Sequence, residues 1–192
     1  MSNKERKLSK FISLLLRHKP EVAGIKLDKY GFALVDELIE GINKTGRFID
    51  MQLLEKIVAE DNKQRYSFNP CKTKIRANQG HSLKVDVELT EKKPPKLLFH
   101  GTAERFMKSI LEKGILKQNR QYVHLSSDMD TAKAVGERHG KLAMIVVDAE
   151  QMYKDGYKFY ISANNVWLTD TVPVKYINSL SLCGLQIKNR VD

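Results

Sequence analysis

The sequence predicts an α+β protein built in two parts, and three observations predict it. Before residue 90, apolar residues recur at helical spacing and then give way to two short strand-like runs. A charged segment with two adjacent prolines, Thr90-Glu91-Lys92-Lys93-Pro94-Pro95-Lys96, then interrupts both patterns. Beyond it, strand-like runs alternate with short helical ones, as in a mixed domain. The expected organisation is residues 1–92, a stiff linker at 93–96, and residues 97–192.

In the first part Leu8, Phe11, Ile12 and Leu15 stand at i, i+3, i+4 and i+7, the stripe of an amphipathic helix. Pro20 ends it, which leaves Arg17 and His18 in the last turn. Asp36-Glu37-Leu38-Ile39 opens a second helix that stops at Gly41 or a few residues later. Asp50 reads as the N-cap of a third, with Leu53, Leu54, Ile57 and Val58 on its buried side. Two strand-like pieces follow, Arg65–Phe68 and Thr73–Arg76, joined by the turn Asn69-Pro70-Cys71-Lys72. Three helices and a hairpin make the layout of a winged helix, a nucleic-acid-binding module.

In the second part the strand-like runs are Lys96–Phe99, Tyr122–Leu125, Leu142–Val147, Lys158–Ile161, Val166–Thr169 and Val174–Leu180. Helices are expected at Ala103–Lys113, closed by Gly114, at Asp130–His139 and at Ala149–Lys154. Neither GxGxxG nor GxxxxGK occurs, so neither a Rossmann fingerprint nor a P-loop is available.

Composition narrows the partners. Residues 1–95 hold 19 basic and 13 acidic residues and residues 96–192 hold 14 and 10, so the net charge of +10 is spread over both parts. Such a surface favours polyanions, although solubility alone would also account for it. The longest apolar run, Leu142–Val147, is far short of the roughly 20 residues of a membrane span. The N-terminal run FISLLL contains a serine and leads into Arg-His, which argues against a signal peptide. Cys71 and Cys183 lie far apart without metal-ligand spacing, so reduced thiols in a cytoplasmic protein are expected.

All five histidines lie within two residues of an arginine, a glycine or a hydroxyl residue: His18, His81, His100, His124 and His139. Arginines recur in the same places, at Arg17, Arg65, Arg76, Arg120 and Arg138. The guanidinium is always charged and its planar fork matches phosphate, so these positions point to an anion. The plain alternative is a set of solvated arginines. No GxSxG, HExxH or obvious carboxylate pair is present, and no zinc spacing links histidine to cysteine. An enzyme with such a site would orient and neutralise a substrate that brings its own ionised nucleophile.

The segments LSKFISLLLRH, RYSF, IRANQGHS, LLFHGT, RQYVHLSSD and SANNVWLT, in this order, resemble the RNA 2′-phosphotransferases of the KptA family over nearly the whole chain. The resemblance implies a winged-helix lobe for RNA and a second lobe with the ADP-ribosyltransferase fold for NAD⁺, which is consumed. It implies that an internal RNA 2′-phosphate displaces nicotinamide. The neighbouring ribose hydroxyl then attacks phosphorus, giving 2′-OH RNA and ADP-ribose 1″,2″-cyclic phosphate. The family's Arg-His-Arg-Arg set falls on Arg17, His18, Arg65 and Arg120. Arg17 and Arg65 would grip the phosphate, Arg120 would neutralise the charge of the second step, and His18 would protonate the departing oxygen. Arg76, Gln79 and His81 are expected at the RNA phosphates. His100, Gly101, Thr102, Ser126 and Arg138 are expected around NAD⁺, with Gly101 allowing close backbone approach. No counterpart of the glutamate used by toxin-type ADP-ribosyltransferases stands out, since Glu137 reads as a solvated helix residue. The partners implied are NAD⁺ and a tRNA-like RNA carrying a 2′-phosphate, as in tRNA splicing, with no metal, no membrane and a monomeric state. Two other readings are capping of terminal nucleic-acid phosphates with ADP-ribose and non-catalytic nucleic-acid binding.

Overall fold

The computed structural model describes residues 1–180, so Cys183 lies outside the described residues. The chain forms two compact units, Met1–Leu89 and Thr90–Asp192, each mixed α/β with antiparallel strands.

In the first unit α1 spans Asn3–Arg17. Ser2 caps it by a reciprocal pair of bonds: its hydroxyl accepts from Glu5 N, and its own N–H donates to the Glu5 carboxylate. The helix ends where Pro20 requires, with His18 as its C-cap. β1 (Phe32–Leu34) leads directly into α2 (Val35–Lys44), and α3 (Met51–Ala59) starts at the Asp50 cap, whose carboxylate accepts from Leu53 N at 2.8 Å. α2 ends at Lys44, a few residues past Gly41 as expected, and the missing side chain of Gly41 leaves room for the Ala23 carbonyl, 2.2 Å from where a Cβ would stand.

β2 (Tyr66–Phe68) and β3 (Lys74–Ala77) form the expected hairpin, with Tyr66 opposite Ala77. β1 adds a third strand to it, in the order β1-β3-β2, which the short run Phe32–Leu34 did not announce. The core joins Ile12 and Leu15 of α1 to Leu38, Ile42, Leu54 and Ile75, all fully buried. Burying each such side chain contributes roughly 1.5–3 kcal/mol before the entropy of ordering it. Tyr66 ties the sheet to α1, donating its hydroxyl to the Ser9 carbonyl at 2.5 Å.

The second unit opens with β4 (Thr90–Glu91), which pairs with β9 (Tyr160–Ile161), and Pro94 and Pro95 follow before β5 (Leu97–Ala103). α4 (Met107–Lys113), β6 (Ile115–Leu116), β7 (Val123–Leu125) and α5 (Met129–Gly136) come next. β8 (Leu142–Asp148), α6 (Ala149–Lys154), β10 (Trp167–Thr169), β11 (Thr171–Val172) and β12 (Ile177–Leu180) complete the described residues. The sheets run β4-β9-β10-β7, β12-β8-β5 and β11-β6. Met144 to Val147 are buried in succession along β8, as in a strand covered on both faces. Leu98, Ile145, Val147, Met152, Phe159 and Trp167 form the core. Among the described residues no helix is long and apolar enough to cross a membrane.

Candidate active site

In the first unit, the turn after β3 gathers the sequence-predicted residues against the end of α1. Ser82 N–H donates to the Arg17 carbonyl at 3.0 Å, and the Ser82 hydroxyl lies 3.0 Å from His18 Nδ1. A Cβ on Gly80 would stand 3.6 Å from Arg17 Nη1, so the guanidinium rests on that glycine. Arg17 Nε and Nη2 are shielded from solvent. The other end of the same turn holds Arg65: Asn78 N–H donates to the Arg65 carbonyl at 2.8 Å, and Asn78 Nδ2 donates to the Gln64 carbonyl at 2.6 Å. Arg17, His18 and Arg65 therefore share one supporting segment, residues 78–82.

The three residues expected at the RNA phosphates differ in their surroundings. His81 is 1% exposed, with Nε2 against Gly31 and without a hydrogen-bond partner among the described residues. Arg76 already pairs with Glu88 at 2.8 Å and stacks 4.6 Å from the Phe32 ring centroid. Gln79 is half-buried. IRANQGHS backs the end of α1, because the strand register turns Ile75 and Ala77 into the core and draws the following turn with them.

The imidazole of His81 is pushed down from its ordinary 6.5 to about 4, first by burial and then by the charges of Arg17, His18 and Arg76. The unfolded chain takes up this proton near pH 6.5, whereas the folded chain resists it until near pH 4. Stability is thus complete above about pH 6.5 and declines as the pH falls towards 4, by roughly 3 kcal/mol in all. Urea unfolding measured over this range should register the decline, and His81→Gln should flatten it.

Sequence reasoning passed over Asp61, Asn78 and Ser82. Asp61 is 4% exposed and accepts Arg65 N–H at 2.6 Å and the Arg65 guanidinium. Its spacing of four from Arg65 was visible, but it lies in no periodic element, so nothing marked it as buried.

In the second unit, His100 sits on β5 with Nδ1 3.0 Å from the His124 carbonyl. A carbonyl only accepts, so Nδ1 carries the proton and Nε2 is left as an acceptor. Burial pushes the His100 pKa down, and the charges of Arg120 and His139 add to this. Arg120 places Nη1 3.4 Å from His124 Nδ1, and desolvation lowers its pKa from a starting value high enough to keep it charged. Ser126 joins β5 through paired backbone bonds with Phe99 at 2.8 and 2.9 Å, and its hydroxyl accepts from Asp128 N. Thr102 is buried and Arg138 is exposed on the turn after α5. His100, Arg120 and His124 thus stand together, with Arg120 the charged member, whose charge an anion would offset.

Gly101 is hemmed in by main chain. A Cβ there would stand 1.8 Å from the Ala132 carbonyl and 3.0 Å from Gly136 N. The glycine lets α5 lie directly on β5.

Among the described residues no group of three or more His, Cys, Asp or Glu side chains is placed to hold a metal ion. Residues 3–171 match the family model described as RNA 2′-phosphotransferase, Tpt1 / KptA family. The chain is 58% identical over 172 residues to the "Probable RNA 2′-phosphotransferase" of Fusobacterium nucleatum, covering 89% of this chain and 96% of that one. It is 51% identical over 175 residues to the protein of that name from Flavobacterium johnsoniae, covering 91% and 96%. For the one from Pseudomonas fluorescens it is 47% identical over 173 residues, covering 90% and 95%.

Proposed function

The chain belongs to the RNA 2′-phosphotransferase, Tpt1 / KptA family, and on that premise we propose that it removes an internal RNA 2′-phosphate by an NAD⁺-dependent route. The first unit acts as a winged-helix RNA lobe and the second as an ADP-ribosyltransferase-like lobe for NAD⁺. What carries the reading is that the family match, residues 3–171, spans both units and includes Arg17, His18, Arg65 and Arg120.

The second unit's donor set suits NAD⁺ chemically. A neutral His100 offers Nε2 as an acceptor, and Arg120 and Arg138 offer positive charge to a pyrophosphate. A phosphate oxygen forms the bond to the anomeric carbon as the bond to nicotinamide breaks. The adjacent ribose hydroxyl then attacks phosphorus and gives up its proton, the bond to the RNA 2′-oxygen breaks, and that oxygen takes a proton in its place.

Arg17 and Arg65 hold the phosphate dianion, whose charge spares the enzyme a general base in the first displacement. His18, anchored through Nδ1 to the Ser82 hydroxyl, has Nε2 for the proton the RNA 2′-oxygen needs. Arg120 counters the charge that builds up on phosphorus. The protein works as a monomer in the cytoplasm, without a metal.

Incubation with a 2′-phosphorylated oligonucleotide, analysed by chromatography, should yield nicotinamide, 2′-OH RNA and ADP-ribose 1″,2″-cyclic phosphate in equal amounts. Phosphate loss that proceeds without NAD⁺ would overturn the proposal, and stable ADP-ribose on a terminal phosphate would select the capping reaction.

A further inference from the structure

We propose that Asp61 is the positioning residue for Arg65, aiming its guanidinium at the RNA 2′-phosphate; this rests on the role assigned to Arg65 above. Asp61 follows α3, its side chain 3% exposed, and a carboxylate so buried needs partners. It has three of them: Oδ2 accepts Arg65 N–H at 2.6 Å, Oδ1 accepts Lys63 N–H at 3.4 Å, and Oδ1 pairs with Arg65 Nη1. The loop is tightly wound, with Gln64 N–H donating to the Asp61 carbonyl at 2.7 Å and Gln64 in the left-handed region at φ 43°. Asn78, 5% exposed, takes the carbonyl of Arg65 from the other side.

The Arg65 backbone is therefore held at both its N–H and its C=O, while Asp61, alone among the described residues, orients the side chain. One corner of the guanidinium is occupied, and the side chain keeps 30% of its surface exposed. An arginine fixed at one corner presents the remaining N–H donors in a set direction, so less rotamer freedom is lost when an anion arrives. A carboxylate serving only to close the loop would be satisfied by the two backbone N–H groups and would have no use for the guanidinium.

The test compares Asp61→Asn, Arg65→Ala and the double variant, with a 2′-phosphorylated RNA oligonucleotide and NAD⁺, below each variant's unfolding midpoint. The asparagine oxygen still accepts a backbone N–H, but its NH₂ faces the guanidinium and repels it. Asp61→Asn should lower kcat by about 10²-fold through misplacement alone, with KM for NAD⁺ unchanged. The double variant should be no slower than Arg65→Ala, because Asp61 acts only through Arg65. The Arg65 Nε–H signal of ¹⁵N-arginine-labelled protein should broaden in Asp61→Asn without any substrate, and Asp61→Glu, which keeps the charge, should recover part of the turnover. Unchanged kcat in Asp61→Asn beside a collapsed Arg65→Ala would overturn the inference and leave the proposed function standing, as would a double variant slower than Arg65→Ala. Full turnover in Arg65→Ala would overturn both.

Discussion

Replacing Arg120 by alanine is expected to slow NAD⁺-dependent removal of an RNA 2′-phosphate by about 10²–10³-fold, the usual consequence of losing one preorganised charge at a reacting centre. The residue stands just ahead of β7, its N–H donating to the Lys117 carbonyl at 3.0 Å, and its side chain reaches His124 Nδ1. Desolvation lowers its pKa although the residue as a whole is exposed, so the fold bears only a small cost for keeping a cation there. That cost is offset when an anion arrives, and a guanidinium loses less to water than an ammonium would. Its removal should also let the His100 pKa rise, since the Arg120 charge is one of the influences holding it down. Because the residue as a whole is exposed, the unfolding midpoint should hardly move. Rapid-quench assays on a 5′-labelled 2′-phosphorylated oligonucleotide measure the rate, and Arg120→Lys should recover little because it lacks the fork. Wild-type turnover in Arg120→Ala would remove this residue from the mechanism.

Gly101→Ala is expected to destabilise the second unit by about 3 kcal/mol or more, at the upper end for overpacking, because both obstacles are main chain. The new methyl group would meet the Ala132 carbonyl at 1.8 Å, and Gly136 N lies 3.0 Å away. Neither can step aside without lifting α5 off β5. Gly136→Ala should do comparable harm, since its Cβ would stand 2.9 Å from the Gly101 carbonyl carbon and from Thr102 N. Urea unfolding followed by fluorescence of Trp167, a core residue of this unit, reads the effect directly. A Gly101→Ala variant that kept its unfolding midpoint and lost only NAD⁺ affinity would assign the glycine to ligand approach instead.

Much of the first unit was legible because its signals are local. Ser2 with Glu5 and Asp50 with Leu53 cap their helices through bonds that span three residues, and Pro20 ends α1 whatever surrounds it. β1 was not legible, since a three-residue strand shows no period and exists only by pairing Phe32 with Arg76. In the second unit β6 and β11, two residues each, escaped notice for the same reason. The expected helix from Ala103 begins later, at Met107, because β5 continues through Ala103 to stay paired with Leu142.

By itself the sequence determined which residues carry charge and hydrogen-bonding capacity, and which helix ends and strand starts present Arg17, His18, Arg65 and Arg120; these follow from residue chemistry and short-range bonding. Only the tertiary structure decided that His81 is buried, that Arg76 is already engaged by Glu88 and Phe32, that Gly101 makes room for a helix, and that Asp61 grips Arg65. Those outcomes depend on which surfaces close over one another. Burial can turn a potential phosphate donor into a neutral support without altering a single residue.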